Sequence, residues 1–219
     1  NTRKRKYRKK LKISRYLKKN KISKNWINKQ RRDTYVRQSK LDGYRARSAY
    51  KLIEIDEKFK IFKGDISVID IGAAPGSWSQ YAARKSKGGR IISIDLKKME
   101  PVENTIQIQG DFTKPSIKDE IGQFVISKVD VVMSDMAVNT TGIKNIDSIQ
   151  TGELCKEAMN FAKYILTDNG FFISKIFMGG TFNEIISDGK KIFKEVKVFK
   201  PKSSRKDSKE NFIICRKLR

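Results

Sequence analysis

Apolar and polar positions along most of this chain follow two alternating periods. Short apolar runs bounded by glycine or by charged residues predict buried strands at 67–72 (SVIDIG), 90–96 (RIISIDL), 105–110 (TIQIQG), 129–135 (VDVVMSD) and 170–177 (GFFISKIF). Helical segments are expected between them, at 77–87, 116–123, 148–167 and 181–193. Another is expected upstream at 44–59, where Ala46, Ala49, Leu52, Ile53 and Asp56 recur at roughly helical spacing. In the 148–167 segment, Leu154, Ala158, Phe161, Ala162 and Ile165 share one face. Such alternation predicts an α/β fold, a parallel sheet with helices on both faces. The end of the chain departs from it. The runs EVKVFKP and ENFIICRK are joined only by the polar loop KSSRKDSK, which predicts a C-terminal antiparallel hairpin on a mostly parallel seven-stranded sheet.

One polar position breaks the strand pattern. Lys175 sits in GFFISKIFMGG between Phe171-Phe172-Ile173 and Ile176-Phe177. An unpaired ammonium inside a buried strand is costly, so such a lysine either gives up its proton or finds partners. The bland alternative is a lysine that carries its head out to solvent on an apolar stem.

Composition narrows the chemistry that could explain it. The chain holds no histidine, so imidazole cannot serve as a base, and a carboxylate, lysine, tyrosine or thiol must do so. Cys155 and Cys215 are the only cysteines, too few without histidine for a structural zinc site; no metal site is expected. A reducing, cytoplasmic setting is the expectation. Mean hydropathy is -0.58 and no apolar run approaches a membrane span, so no membrane partner is expected. Net charge is +25 and unevenly spread: residues 1–32 hold 16 of the 49 Lys/Arg and none of the 24 Asp/Glu, with Tyr7, Tyr16 and Trp26 interleaved. Residues 1–34 therefore read as a basic, flexible arm suited to nucleic-acid phosphates, ahead of a globular domain at 35–219. Self-repulsion at this charge favours a monomer.

The first expected strand runs into the loop Gly72-Ala73-Ala74-Pro75-Gly76 and then into a helix. This loop matches neither the dinucleotide fingerprint nor the phosphate-binding P-loop. Asp70 before it points instead to a ligand carrying positive charge. Asp95 ends the second strand, where an acid accepts hydrogen bonds from ribose hydroxyls, and Asp111 follows the third. Singly, each acid reads as a cap or turn residue. Together with the tight loop they mark the crevice at the strand C-termini. A cationic, ribose-bearing cofactor fits that crevice, and S-adenosylmethionine is the common one.

The motifs DIGAAPGSWSQ, SDMA, FISKIF and SRKDSKENF, with RARSAYKL upstream, closely resemble the FtsJ/RrmJ family of ribosomal RNA ribose 2′-O-methyltransferases. The likeness runs from about residue 24 to the C-terminus. It departs in the loop, which reads A-P-G-S-W where many members have A-P-G-G-W, and in the longer, more charged arm. The resemblance implies a Rossmann-like, S-adenosylmethionine-dependent fold. It also implies a catalytic tetrad of Lys51, Asp135, Lys175 and Glu210. Cofactor contacts are implied at Gly72, Trp78, Asp95, Asp111 and Asp135, and the loop residues Asp70, Ala73, Pro75 and Gly76 join them as candidates. The implied substrate is a uridine ribose of large-subunit ribosomal RNA, free or in the large ribosomal subunit.

With that tetrad, Lys175 becomes the expected base for a ribose 2′-hydroxyl, Lys51 the cation beside it, and Asp135 and Glu210 their partners. The alternatives are the same chemistry on a transfer RNA or a messenger RNA cap, and a non-catalytic RNA-binding ribosome-assembly factor. An amino-methyltransferase fits less well, because the fourth strand ends in S-D-M-A rather than N/D-P-P-Y/F.

Overall fold

A computed structural model describes residues 33–137 and 144–219. By its packing the chain divides into residues 1–43 and Tyr44–Arg219. The expected arm, residues 1–34, lies almost wholly outside the described residues. The described part of the first unit is one helix, α1 (Thr34–Leu41), whose N-cap Asp33 accepts the N–H of Tyr35.

The second unit runs α2 (Ala49–Phe59), β1 (Val68–Ile71), α3 (Ser77–Lys85), β2 (Ile91–Asp95), β3 (Thr105–Gln109), α4 (Pro115–Phe124), β4 (Val129–Ser134), α5 (Lys144–Ile165), β5 (Leu166–Phe177), α6 (Phe182–Ile192), β6 (Phe193–Phe199) and β7 (Glu210–Leu218). The strands form one seven-stranded sheet in the order β3-β2-β1-β4-β5-β7-β6. β1 to β5 are parallel, and β7 lies antiparallel between β5 and β6. The Ile/Val-rich β1 is buried along its whole length, as a parallel strand covered on both faces must be.

Strand alternation sorts the core into two layers. Ile69, Ile71, Ile92, Ile94, Phe172 and Ile176 pack against Ile121 of α4, Cys155, Ala158, Met159 and Ala162 of α5, and Ile185 of α6. Val68, Ile91, Met133, Ile173, Phe212 and Ile214 face Leu52 and Ile55 of α2 and Trp78, Tyr81 and Ala82 of α3. Ala158 and Ala162 are wholly buried and carry no bulk, so α5 can lie close against the sheet.

Two elements differ from the sequence expectation. The 44–59 helix begins only at Ala49, because the preceding residues bond elsewhere. Arg45 donates to the carbonyls of Pro75, Glu100 and Pro101, and Ser48 O accepts Trp78 Nε1 at 2.9 Å. The last central strand starts at Leu166, directly after α5. Its pairing with β4 jumps from Leu166 opposite Val129 to Phe171 opposite Val131, so the turn-forming Thr167–Gly170 lie within an irregularity of the strand. At the other end of α2, Lys60 adopts a left-handed φ of 56°. There the buried Asp56 accepts the N–H groups of Ile61 and Phe62 on Oδ1 and the Tyr81 hydroxyl on Oδ2.

Candidate active site

Register decides which side chains meet. Ser134, the last residue of β4, pairs with Ser174 of β5, so Asp135 emerges level with Lys175. Across β5 and β7, Lys175 pairs with Phe212 and Phe177 with Glu210. Lys175 and Glu210 are therefore diagonal neighbours on one face of the sheet, the face that α2 covers. α2 brings Lys51 to that face, with Leu52 and Ile55 packed in the same layer as Phe212.

Two ion pairs result. Lys175 Nζ donates to Asp135 Oδ1 at 2.9 Å and to the Asp135 main-chain carbonyl at 2.6 Å. Lys51 Nζ donates to Glu210 Oε2 at 2.8 Å, and Ser204 Oγ donates to Glu210 Oε1 at 2.8 Å. Lys175 is 6% exposed and Glu210 8%, so the amine pointed out by the sequence meets its partners inside the protein rather than in solvent. The pairs also act on one another. Burial opposes the charge on Lys51, yet Asp135 and Glu210 together hold its amine above the usual lysine range. Burial likewise opposes the Asp135 carboxylate, and Lys175 and Lys51 outweigh it, holding Asp135 below the usual range. The two amines and two carboxylates form one coupled set.

Beside the set lies a crevice of about 530 Å³ at the C-terminal ends of β1, β2, β3 and β4. Gly72, Asp95, Asp111 and Asp135 line it. Asp95 ties down the glycine loop, its Oδ2 accepting Ala74 N–H at 2.9 Å and its Oδ1 accepting Lys97 N–H at 2.8 Å. Asp111 Oδ1 accepts the N–H and hydroxyl of Thr113, and these bonds keep its carboxyl below the usual range. Gly72 has a φ of +76°, and a Cβ there would lie 2.5 Å from Met136 Cγ, so only glycine lets the loop pass that close to the end of β4.

The FtsJ-like methyltransferase family profile matches residues 44–218. The chain belongs to this family. It is 71% identical over 203 residues, 93% of this chain and 100% of the relative, to a ribosomal RNA large subunit methyltransferase E of Pelagibacter ubique. A protein of the same description from Rickettsia bellii is 45% identical, over 88% of each chain. Among solved structures, a ribosomal RNA methyltransferase of Plasmodium falciparum superposes with a TM-score of 0.72 at 32% identity, covering 80% of this chain and 98% of that one. A Streptococcus mutans methyltransferase in complex with SAH shares the fold alone, with a TM-score of 0.51 at 12% identity over 76% of this chain and 97% of that one.

Not every expected cofactor residue lines the crevice of this family member. Gly72, Asp95, Asp111 and Asp135 do. Asp70 is fully buried on the α3 face of β1, where Ser79 Oγ donates to its Oδ2 at 2.6 Å and also bonds Ser93 Oγ. Burial pushes the Asp70 carboxyl up to about 7. Ala73 is buried, its N–H bonded to Ile94 O, while Pro75 is exposed. Gly76 has a φ of +107°, and a Cβ there would lie 2.9 Å from Arg45 Nη1 and 3.0 Å from Val102 Cγ2. Trp78 is 2% exposed, packed on Phe212 with ring centroids 5.7 Å apart and its N–H on Ser48 O. It supports the layer beneath Lys51 instead of the crevice.

Further crevice residues lie outside the expected set of site residues: Leu96, Lys97, Phe112, Thr113, Met136 and Ala137. They share a signal, since each is one or two residues beyond a strand-end acid. Leu154, which also lines the crevice, comes from within α5 and had no such signal.

Proposed function

We propose that this protein transfers a methyl group from S-adenosylmethionine to the 2′-hydroxyl of a uridine ribose in large-subunit ribosomal RNA, with Lys175 as the base. The observation that carries the reading is the meeting of the Lys175–Asp135 and Lys51–Glu210 pairs beside a crevice lined by strand-end acids. Large-subunit ribosomal RNA as substrate is supported by the relatives from Pelagibacter and Rickettsia, and the uridine 2′-oxygen by the tetrad motifs.

The crevice suits the cofactor. Its volume falls within the range of small-molecule sites, Asp95 stands where ribose hydroxyls are accepted, Asp111 lines the same crevice, and Asp135 offers a carboxylate to a cation. Bound there, S-adenosylmethionine would supply an electrophilic methyl carbon and, once its sulfur–methyl bond is broken, would leave as S-adenosylhomocysteine. The attacking 2′-hydroxyl has to give up its proton, and with no histidine in the chain Lys175 Nζ is the group placed to take it. Lys175 must therefore be the free amine when the hydroxyl arrives. The two bonds from Nζ to Asp135 are those that receive the ammonium once the proton has moved. Lys51, which stays charged, stabilises the developing negative oxygen. Glu210 holds Lys51 in place through one oxygen and is held by Ser204 through the other.

Labelled S-adenosylmethionine, incubated with the protein and large ribosomal subunits from a strain lacking this activity, tests the reading. Label is expected on the 2′-oxygen of a single uridine, located by mapping the modified nucleotide. Label on a base, or preferential transfer to transfer RNA or capped RNA, would overturn the substrate. No transfer to any RNA would favour a ribosome-assembly factor.

A further inference from the structure

Helix α2 carries more of the site than Lys51. One turn along, Glu54 Oε2 accepts the N–H of Lys202 at 2.5 Å and its Oε1 accepts that of Ser203 at 2.9 Å. In the turn leading into the helix, Arg47 Nη2 donates to the carbonyl of Ser203. The segment is closed by Ser204 N–H on Pro201 O at 3.0 Å, and Ser204 is 5% exposed. Its hydroxyl then meets Glu210 Oε1 at 2.8 Å, while Glu210 Oε2 accepts Lys51 Nζ. The bonds close a circuit that leaves α2 at Glu54, crosses the 202–204 turn to Ser204 and Glu210, and returns to α2 at Lys51.

We propose that Ser204, held in place by Glu54, is a positioning residue for methyl transfer, fixing the Glu210 carboxylate and through it the Lys51 ammonium. Three features support this. A glutamate side chain has enough rotatable bonds to swing, and only a donor on its second oxygen sets its plane once Lys51 holds the first. The charge-assisted bonds from two successive N–H groups to one carboxylate make Glu54 a two-point anchor for the turn. The helix that carries the cation also anchors the turn that orients its partner, so cation and carboxylate share one frame. Displacement of a transition-state cation by an ångström is enough to reduce turnover.

The proposal rests on the reading of Lys51 as a transition-state cation, and two readouts keep their failures apart. In Ser204→Ala, kcat is expected to drop roughly 10- to 100-fold, with the KM and calorimetric affinity for S-adenosylmethionine unchanged. The Lys51 amine, followed by NMR of 13C-labelled lysine and assigned by its loss in Lys51→Arg, is expected to titrate at lower pH in Ser204→Ala than in the parent. That second measurement needs no turnover. Glu54→Gln, which leaves one carbonyl acceptor for two N–H groups, is expected to move both quantities in the same directions by less, and it serves where Ser204→Ala fails to fold. Unchanged kcat together with an unmoved Lys51 titration would overturn the proposal. A shifted titration with full turnover would show that Ser204 sets Lys51 but that Lys51 does not serve the reaction. Full turnover in Lys51→Ala would overturn the reading beneath it.

Discussion

A lysine amine that is 6% exposed needs its charge answered close by, and Asp135 answers Lys175 twice, by carboxylate and by carbonyl. Replacing Lys175 by alanine removes the proposed base while leaving Asp95 and Asp111 in place. Methyl transfer should fall by at least ~100-fold, the usual scale of lost acid–base catalysis. Calorimetric affinity for S-adenosylmethionine should stay near that of the parent, and near-normal turnover would remove Lys175 from its role. Asp70 belongs to a different account. Its carboxyl titrates at about 7 in the folded protein and near 4 when the chain is unfolded, so between those values the folded state binds more protons. Stability contributed by this group is therefore fully present below the unfolded value and is lost as pH rises toward 7. Asp70→Asn, which can still accept from Ser79, should abolish that loss. Urea unfolding from pH 4 to 8 should show the parent falling relative to the variant by an amount on the order of a few kcal/mol. Parallel pH profiles would show that Asp70 is not the titrating group.

At the scale of elements, the site depends on how strand ends and loops approach each other. The loop after β1 is stitched to β2 by Gly72 N–H and Ala73 N–H on Ile94 O and by Ala74 N–H on Asp95. It passes the end of β4 with no space for a side chain at Gly72. Gly72→Ala should cost roughly 1–2 kcal/mol from the left-handed backbone alone. Displacement of Met136, which lines the crevice, should add a loss of cofactor affinity. A thermal melt with calorimetry checks both, and unchanged affinity would show that the loop relaxes without disturbing the crevice. The strands were legible because runs such as VIDI and IISID are buried on both faces and have few other ways to fold. The start of α2 was not legible, because Ala46 and Ala49 fit a helical period while Arg45 and Ser48 are claimed by carbonyls and an indole from distant segments. Nor was the buried position of Trp78, since an aromatic residue after a glycine loop suits a ligand and a core equally well.

For the whole molecule, charge is the dominant quantity, with 16 of 49 basic residues in the first 32 positions. Deleting residues 1–22 should weaken binding to ribosomal RNA and flatten its dependence on salt, since each lost phosphate contact removes close to one unit from the slope. Cofactor affinity should not change. Filter binding across a salt series measures the slope, and an unchanged slope would show that the arm does not touch RNA.

The sequence by itself determined the order of strands and helices, the antiparallel end of the sheet, the exclusion of imidazole chemistry and the oddity of Lys175. These are properties of local periodicity and residue chemistry, which travel with the chain. Its motifs also named the four side chains that meet, though not how they meet. Only the tertiary structure decided that Glu210 and Lys175 share a face, through the antiparallel register of β7 on β5. Only it showed that Ser204 and Glu54 complete a circuit around Lys51, and that Asp70 and Trp78 are buried in the layer beneath. Register and burial arise from contacts between residues as far apart as Lys51 and Glu210, and no local pattern encodes which of several chemically suitable residues such contacts will enclose.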